Sequence, residues 1–285
     1  MNQNRRTFLA TVGAAALGVL AAGQTACATA ALAGRRKIGR IGLQLYTVRD
    51  LMKADLPGTL ARVAALGYKE VEFAGYFGRS PAEIRDLLAK NGLTSPSSHI
   101  PLEVMRANAD KAFSDAKTIG HQWVTVPWLD EKERGTLANW KSLAAEFNRL
   151  AAQARTRGLR FAYHNHDFEQ KKVEGATPLD VLISETDPAL VDFEMDLYWM
   201  VEGGADPLDY FRRFPHRFPL VHVKDSAGPP EHRMVSVGQG TIDFRSIFAQ
   251  TDLAGIQHYF VEHDNPTDAM ASIATSYAYL STLEF

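Results

Sequence analysis

From residue 38 onward, short runs of β-branched and aromatic residues alternate eight times with longer stretches of helical period, with no Pro/Gly/Ser-rich linker between them. The strand-like runs are Ile41–Tyr46, Tyr68–Phe73, Thr94–His99, Trp123–Pro127, Arg160–Asn165, Val191–Asp196, Pro219–Lys224 and His258–Glu262. The helices between them carry start and stop chemistry: Ser80 precedes Pro81, and Gly67, Gly92 and Gly158 follow the last periodic residues. Eight strand-helix units in about 250 residues predict one α/β domain, a single closed (β/α)8 TIM barrel. An open doubly wound sheet fits less well, because Gln44-Leu45-Tyr46-Thr47 stands where a Gly-rich phosphate loop belongs.

The chain is 285 residues long, and its first 33 have a different character. They contain no acidic residue, and Arg5-Arg6 precede Thr7-Phe8-Leu9 and an Ala/Val/Leu/Gly stretch over Ala10–Ala22. A charged start, an apolar middle and a small-residue end describe a bacterial export signal, and the paired arginines resemble a twin-arginine (Tat) signal. The apolar run falls short of the roughly 20 residues that span hydrocarbon. The expectation is a signal over 1–33, a barrel domain over 34–285 and export to the periplasm. Cleavage fits Ala28-Thr29-Ala30 or Ala31-Leu32-Ala33, and lipidation at Cys27 is a less suitable alternative. Residues 1–33 hold two of the 31 basic residues and none of the 33 acidic ones, so the remainder has a formal charge of −4. That charge disfavours nucleic acid as a partner. Cys27 is the sole cysteine, so any metal site in the barrel is built from nitrogen and oxygen.

Barrel strands are apolar inside, so ionisable side chains at their C-terminal ends are informative, since active sites form at that rim. Four successive strands end this way: Tyr163-His164-Asn165-His166-Asp167, Glu194-Met195-Asp196, His222-Val223-Lys224-Asp225 and Val261-Glu262-His263. Taken singly, each group fits a buried core histidine or a structural ion pair. Together, carboxylates and imidazoles aimed at one point repel or stay unpaired unless a cation lies between them, which points to a divalent metal.

His222-Val223-Lys224-Asp225, with Gly238-Gln239-Gly240-Thr241-Ile242-Asp243-Phe244 after it, Tyr163-His164-Asn165-His166-Asp167-Phe168-Glu169, and Asp196-Leu197-Tyr198-Trp199 together resemble the xylose isomerase-like barrel superfamily. The group concerned is that of sugar phosphate isomerases/epimerases. The resemblance implies one Mn, Mg, Zn or Co ion held by Glu, Asp, His and Glu at the ends of strands five to eight. Asp196, His222 and Glu262 match the last three. The first position departs: this chain has His164 or His166 there, both on one face of the strand. Proximity to the rim favours His166 as the ligand and leaves His164 for substrate or proton transfer.

The resemblance further implies a metal-dependent sugar isomerase or epimerase that abstracts a proton next to a carbonyl and forms an enediolate. Glu262 is the expected base, an imidazole or Lys224 the acid, and Lys224 also suits the developing oxyanion. Gln44, Glu72, His99, Trp128 and Trp199 are expected to face the sugar. Loss of the first glutamate weakens symmetric two-base epimerisation, so a lyase or hydratase acting by β-elimination on 3-keto-glycosides is the alternative. A non-catalytic sugar-binding barrel is the alternative from another class. A multi-metal endonuclease of the same superfamily lacks its ligands and positive face here. The expected partner is a small sugar or glycoside, without stable membrane insertion after processing. Sequence leaves the oligomeric state open.

Overall fold

The computed structural model of the protein describes residues 36–285. The expected export signal and the domain boundary beside it lie outside the described residues. Within Ile38–Leu283, which form one compact unit, the alternation closes into the expected barrel. Its strands are β1 (Ile41–Gln44), β2 (Glu70–Phe73), β3 (Thr94–His99), β4 (Trp123–Val126), β5 (Arg160–His164), β6 (Val191–Asp196), β7 (Leu220–Val223) and β10 (His258–Val261). All pair in parallel with their neighbours, and β10 seals the barrel against β1. A small antiparallel ribbon, β8 (Asp225–Ser226) with β9 (Met234–Val235), follows β7.

The helices are α1 (Arg49–Leu66), α2 (Pro81–Lys90), α3 (Leu102–Ile119), α4 (Leu137–Thr156), α5 (Pro178–Glu185), α6 (Leu197–Glu202), α7 (Pro207–Arg213), α8 (Phe244–Phe248), α9 (Thr251–Ala254) and α10 (Ala269–Thr282). At the start of α2, the Ser80 hydroxyl accepts from Glu83 N and the Glu83 carboxylate accepts from Ser80 N, a reciprocal cap. α1 and α3 start earlier than their apolar period indicates. Asp55 (φ −153°, ψ 84°) and Asn108 (φ −161°, ψ 82°) interrupt the helical backbone there and break the pattern. The ribbon, α6 and α9 are too short to show a period at all.

Side chains on a strand alternate between faces, so one inward residue fixes the next two along. Trp123, Ala162, Leu220 and Phe260 pack together as a dry layer across the barrel. Two residues further along β5, β7 and β10, the same face carries His164, His222 and Glu262. The barrel therefore has an apolar floor with an ionisable layer directly above it. Below the floor, Trp123 Nε1 donates to Asp192 Oδ2 at 2.8 Å, and His258 Nδ1 lies 2.7 Å from Glu70 Oε2.

Phe260 reaches the centre because β1 presents Gly42 there: a Cβ at Gly42 would stand 2.5 Å from Phe260 Cδ1 and 2.9 Å from the Tyr259 carbonyl oxygen. Gly42→Ala is therefore expected to cost about 1–3 kcal/mol through overpacking. Urea denaturation checks this, and an unchanged midpoint would mean that Phe260 yields without cost.

At the β3–β4 side, His121 Nδ1 donates to the Ser95 carbonyl at 2.7 Å and its Nε2 accepts from Tyr76 Oη at 3.1 Å. Burial pushes this imidazole down to about 4, against the opposing hydrogen bond to Ser95. The unfolded chain, with histidine near 6.5, therefore binds the extra proton over that interval, so acidification favours unfolding. His121 should by itself account for about 3 kcal/mol of stability lost as pH drops from about 6.5 to about 4. Denaturation of His121→Gln at several pH values should show a flatter slope, and an identical slope would exclude His121 as its source.

Candidate active site

The parallel register builds the ionisable layer. β6 and β7 set Asp196 beside His222, and β5 and β6 set His164 beside Glu194. His222 is fully buried and touches carboxylates on both sides. Its Nε2 lies 2.7 Å from Glu72 Oε2 and 3.2 Å from Glu194 Oε2, whereas its Nδ1 lies 2.8 Å from Glu262 Oε2 and 3.9 Å from Asp196 Oδ2. Gln44 Nε2 donates to Glu72 Oε2 at 2.8 Å, and His99 Nε2 lies 2.7 Å from Glu194 Oε2. This arrangement yields an inner network of Gln44, Glu72, His99 and Glu194, and an outer one facing the rim.

Lys224 anchors the outer network. Its Nζ lies 3.0 Å from Asp196 Oδ2, 2.7 Å from Glu262 Oε2 and 2.8 Å from Asp264 Oδ1. Burial pulls the ammonium's pKa down, but the Asp196, Glu262 and Asp264 carboxylates outweigh it and hold the proton on well above the ordinary lysine range. Burial acts the other way on Glu262, yet Lys224 and His222 keep that carboxyl well below its ordinary value. For Asp196 burial prevails over Lys224, raising it to about 6. His164 is driven down to about 3 by burial and by the neighbouring His222.

A cavity of 560 Å³ opens above this layer, with His99, Trp128, His164, His166, Trp199, Lys224, Glu262 and Asp264 in its wall. Of the residues expected to face a sugar, Trp128, Trp199 and His99 do line it. Gln44 and Glu72 do not: both are fully buried beneath it, where Gln44 donates to Glu72 and Glu72 pairs with His222. His164 Nε2 lies 3.8 Å from Asp196 Oδ2, inside the layer. His166, expected as the metal ligand, is in the cavity wall but outside both groups of potential ligands. Its ring stands edge-on to Trp128 at 4.6 Å and parallel to Phe168 at 5.5 Å. The turn that carries it is fixed by Glu169, which accepts from His166 N at 2.8 Å and from the Tyr163 hydroxyl.

Among the described residues, two sets of donor atoms each fall within 4.8 Å of one another: Asp196, His222 and Glu262, and His99, His164, Glu194 and His222. The first opens to the cavity through Glu262 and has the nitrogen and oxygen chemistry of a divalent ion. Asp196 Oδ2 is buried and makes no well-directed hydrogen bond, and His222 turns its other nitrogen to a carboxylate, as ligating histidines do. These residues fit a metal.

The Gly238-Gln239-Gly240 turn has the composition of a phosphate cradle, but its amides are taken. The Asp225 carboxylate accepts from Gly238 N and Gly240 N at 2.9 Å each and from Ile242 N at 3.2 Å. The chain supplies its own anion there.

Sequence reasoning undervalued Glu194 and overlooked Asp264. Each stands two residues from a recognised member, Asp196 or Glu262, and that spacing was the available signal.

A family model described as xylose isomerase-like TIM barrel matches residues 60–281. An inosose dehydratase of Lacticaseibacillus casei is 29% identical over 160 residues, 50% of this chain and 53% of that protein. An inosose dehydratase of Geobacillus kaustophilus (strain HTA426) is 27% identical over 204 residues, 60% and 65% of the two chains. The chain thus spans about half the length of the first of these relatives and under two thirds of the second. The crystal structure of a sugar phosphate isomerase/epimerase from Parabacteroides distasonis ATCC 8503 superimposes with a TM-score of 0.75 at 27% identity, over 86% of this chain and 95% of that one. With its barrel, its rim of ionisable groups and a family match over most of its length, the chain belongs to the xylose isomerase-like TIM barrel family.

Proposed function

We propose that the protein is a metal-dependent enzyme that removes a proton next to the carbonyl of a keto sugar or keto polyol, with β-elimination as the outcome. The observation that carries this reading is the outer network, where Glu262 and Lys224 lie 2.7 Å apart as an ion pair in the cavity wall. Asp196, His222 and Glu262 would hold the divalent ion, with His164 near enough to join them. Bound there, such an ion supplies Lewis acidity toward the substrate's carbonyl oxygen.

The chain's own residues account for the proton. Glu262 takes it from the carbon beside the carbonyl, and the electron pair of that C–H bond passes into the enolate. Lys224, its three N–H groups held by Asp196, Glu262 and Asp264, keeps its proton and favours the developing oxyanion through its charge. When the enolate collapses, the electron pair expels the oxygen substituent on the next carbon, and neutral Glu262 returns the proton to that oxygen. One residue thus serves as base and then acid. Epimerisation by two carboxylates needs a second one across the substrate from Glu262, and the chain carries imidazoles, His164 at the end of β5 and His166 just after it, on that side. The inosose dehydratase relatives agree with elimination, and the occupied amides of the Gly238–Gly240 turn speak against a phosphate handle.

Incubating the Mn-loaded full chain with 3-keto-glycosides in deuterated water tests the reading. Release of the substituent should accompany turnover, and Glu262→Gln should lower kcat by about 100-fold or more. Melting of the chelator-treated protein should rise by about 5 °C or more at a Mn concentration 100-fold above its Kd, and Asp196→Asn should abolish that rise. Turnover that survives Glu262→Gln, or a melting point indifferent to divalent ions, would overturn it.

A further inference from the structure

A second cavity, of 690 Å³, adjoins the first, and the two share Trp199 and Asp264 as a common wall. Volumes of 690 and 560 Å³ each fall within the roughly 300–1,000 Å³ that encloses a small molecule, so the pair exceeds what one monosaccharide needs. The linings differ. Around the catalytic groups the wall is largely aromatic and apolar above its charged floor, whereas the second cavity is edged by hydroxyls and amides from Ser236, Gln239, Asn265 and Thr275 beside the charged Arg233 and Asp268.

Ser236 Oγ donates to Ser272 Oγ at 3.0 Å, and the other three groups have hydrogen-bonding capacity to spare. The side chains of Gln239 and Thr275 make no hydrogen bond among the described residues, and Asn265 accepts from Arg49 at 3.0 Å, which leaves its amide donors directed elsewhere. Trp199 Nε1, on the shared wall, is buried without a partner among the described residues. Lys224 Nζ lies 5.7 Å from the centroid of that ring. A wall of one aromatic ring and several unpaired donors and acceptors is the chemistry that recognises a sugar ring, with hydroxyls on its edges and C–H groups on its faces.

We propose that this second cavity is a subsite for a second sugar ring, so that the substrate is a disaccharide or larger glycoside whose reacting ring lies over Glu262 and Lys224. The inference rests on the proposed reaction for its choice of reacting ring. The subsite itself rests on the second cavity's lining. The ring in the subsite is the leaving portion or its neighbour, and Trp199 lies between the two rings where the glycosidic oxygen crosses.

Two measurements on the Mn-loaded full chain separate the subsite from the reaction. Calorimetric titration compares glucose with cellobiose, and steady-state kinetics compares their 3-keto derivatives. Cellobiose should bind at least about 10-fold more tightly than glucose. Gln239→Ala should remove part of that advantage, and Ala271→Trp, which places an indole in the second cavity from α10, should remove all of it. Glucose affinity should not change in either variant, which also reports that they fold. In kinetics the same variants should raise KM for 3-keto-cellobiose by about 3- to 10-fold with kcat retained. A binding advantage without turnover of either keto sugar upholds the subsite while overturning the proposed reaction. Equal affinity for glucose and cellobiose, or an advantage that survives Ala271→Trp, overturns the subsite.

Discussion

A carboxylate taken out of water keeps its charge only beside a cation or a set of donors, and this barrel buries Glu72, Glu194, Asp196 and Glu262 within one layer. Lys224 and His222 answer that demand. His222 joins the inner carboxylates to the outer ones through its two ring nitrogens, and Lys224 gathers three outer carboxylates about a single ammonium. Each of these contacts depends on neighbouring strands keeping register, because a slip of one residue would turn every member of the layer outward. The electrostatics of the site and the closure of the barrel are therefore one constraint. Removal of one partner would leave a buried charge without compensation, a costlier change than loss of the same pair from the surface.

The architecture was legible because it is periodic. Thr94–His99 and Val191–Asp196 agree with the strands residue for residue, and the other strands differ by a residue or two at their ends. What escaped was aperiodic. The ribbon after β7 is two residues on each side, and the early turns of α1 and α3 hide behind Asp55 and Asn108. Chain order also concealed depth. Gln44 and Glu72 stand at strand ends like the others, and only the closed barrel places them under His222 instead of in the cavity. His164 and His166 share a face, and the packing of His166 against Trp128 and Phe168 is a tertiary fact with no signature in the spacing.

The loop of Gly238–Ile242 illustrates how composition misleads without partners. Two glycines around one residue supply the backbone freedom of an anion cradle, and Gly238 does take a left-handed φ of +89°. The anion they enclose is Asp225, which opens β8 two residues after the end of β7, the strand that carries His222. A Cβ at Gly240 would stand 2.2 Å from Asp225 Oδ1, so the glycine is required by an internal contact. The motif thus ties the loop after β9 to the ribbon strand that directly follows β7.

The apolar floor sits directly beneath the ionisable layer. Trp123, Ala162, Leu220 and Phe260 are buried side by side below Glu262, so the site meets solvent on the cavity side. A substrate that loses a substituent over this floor would send both fragments out through the cavity it entered by.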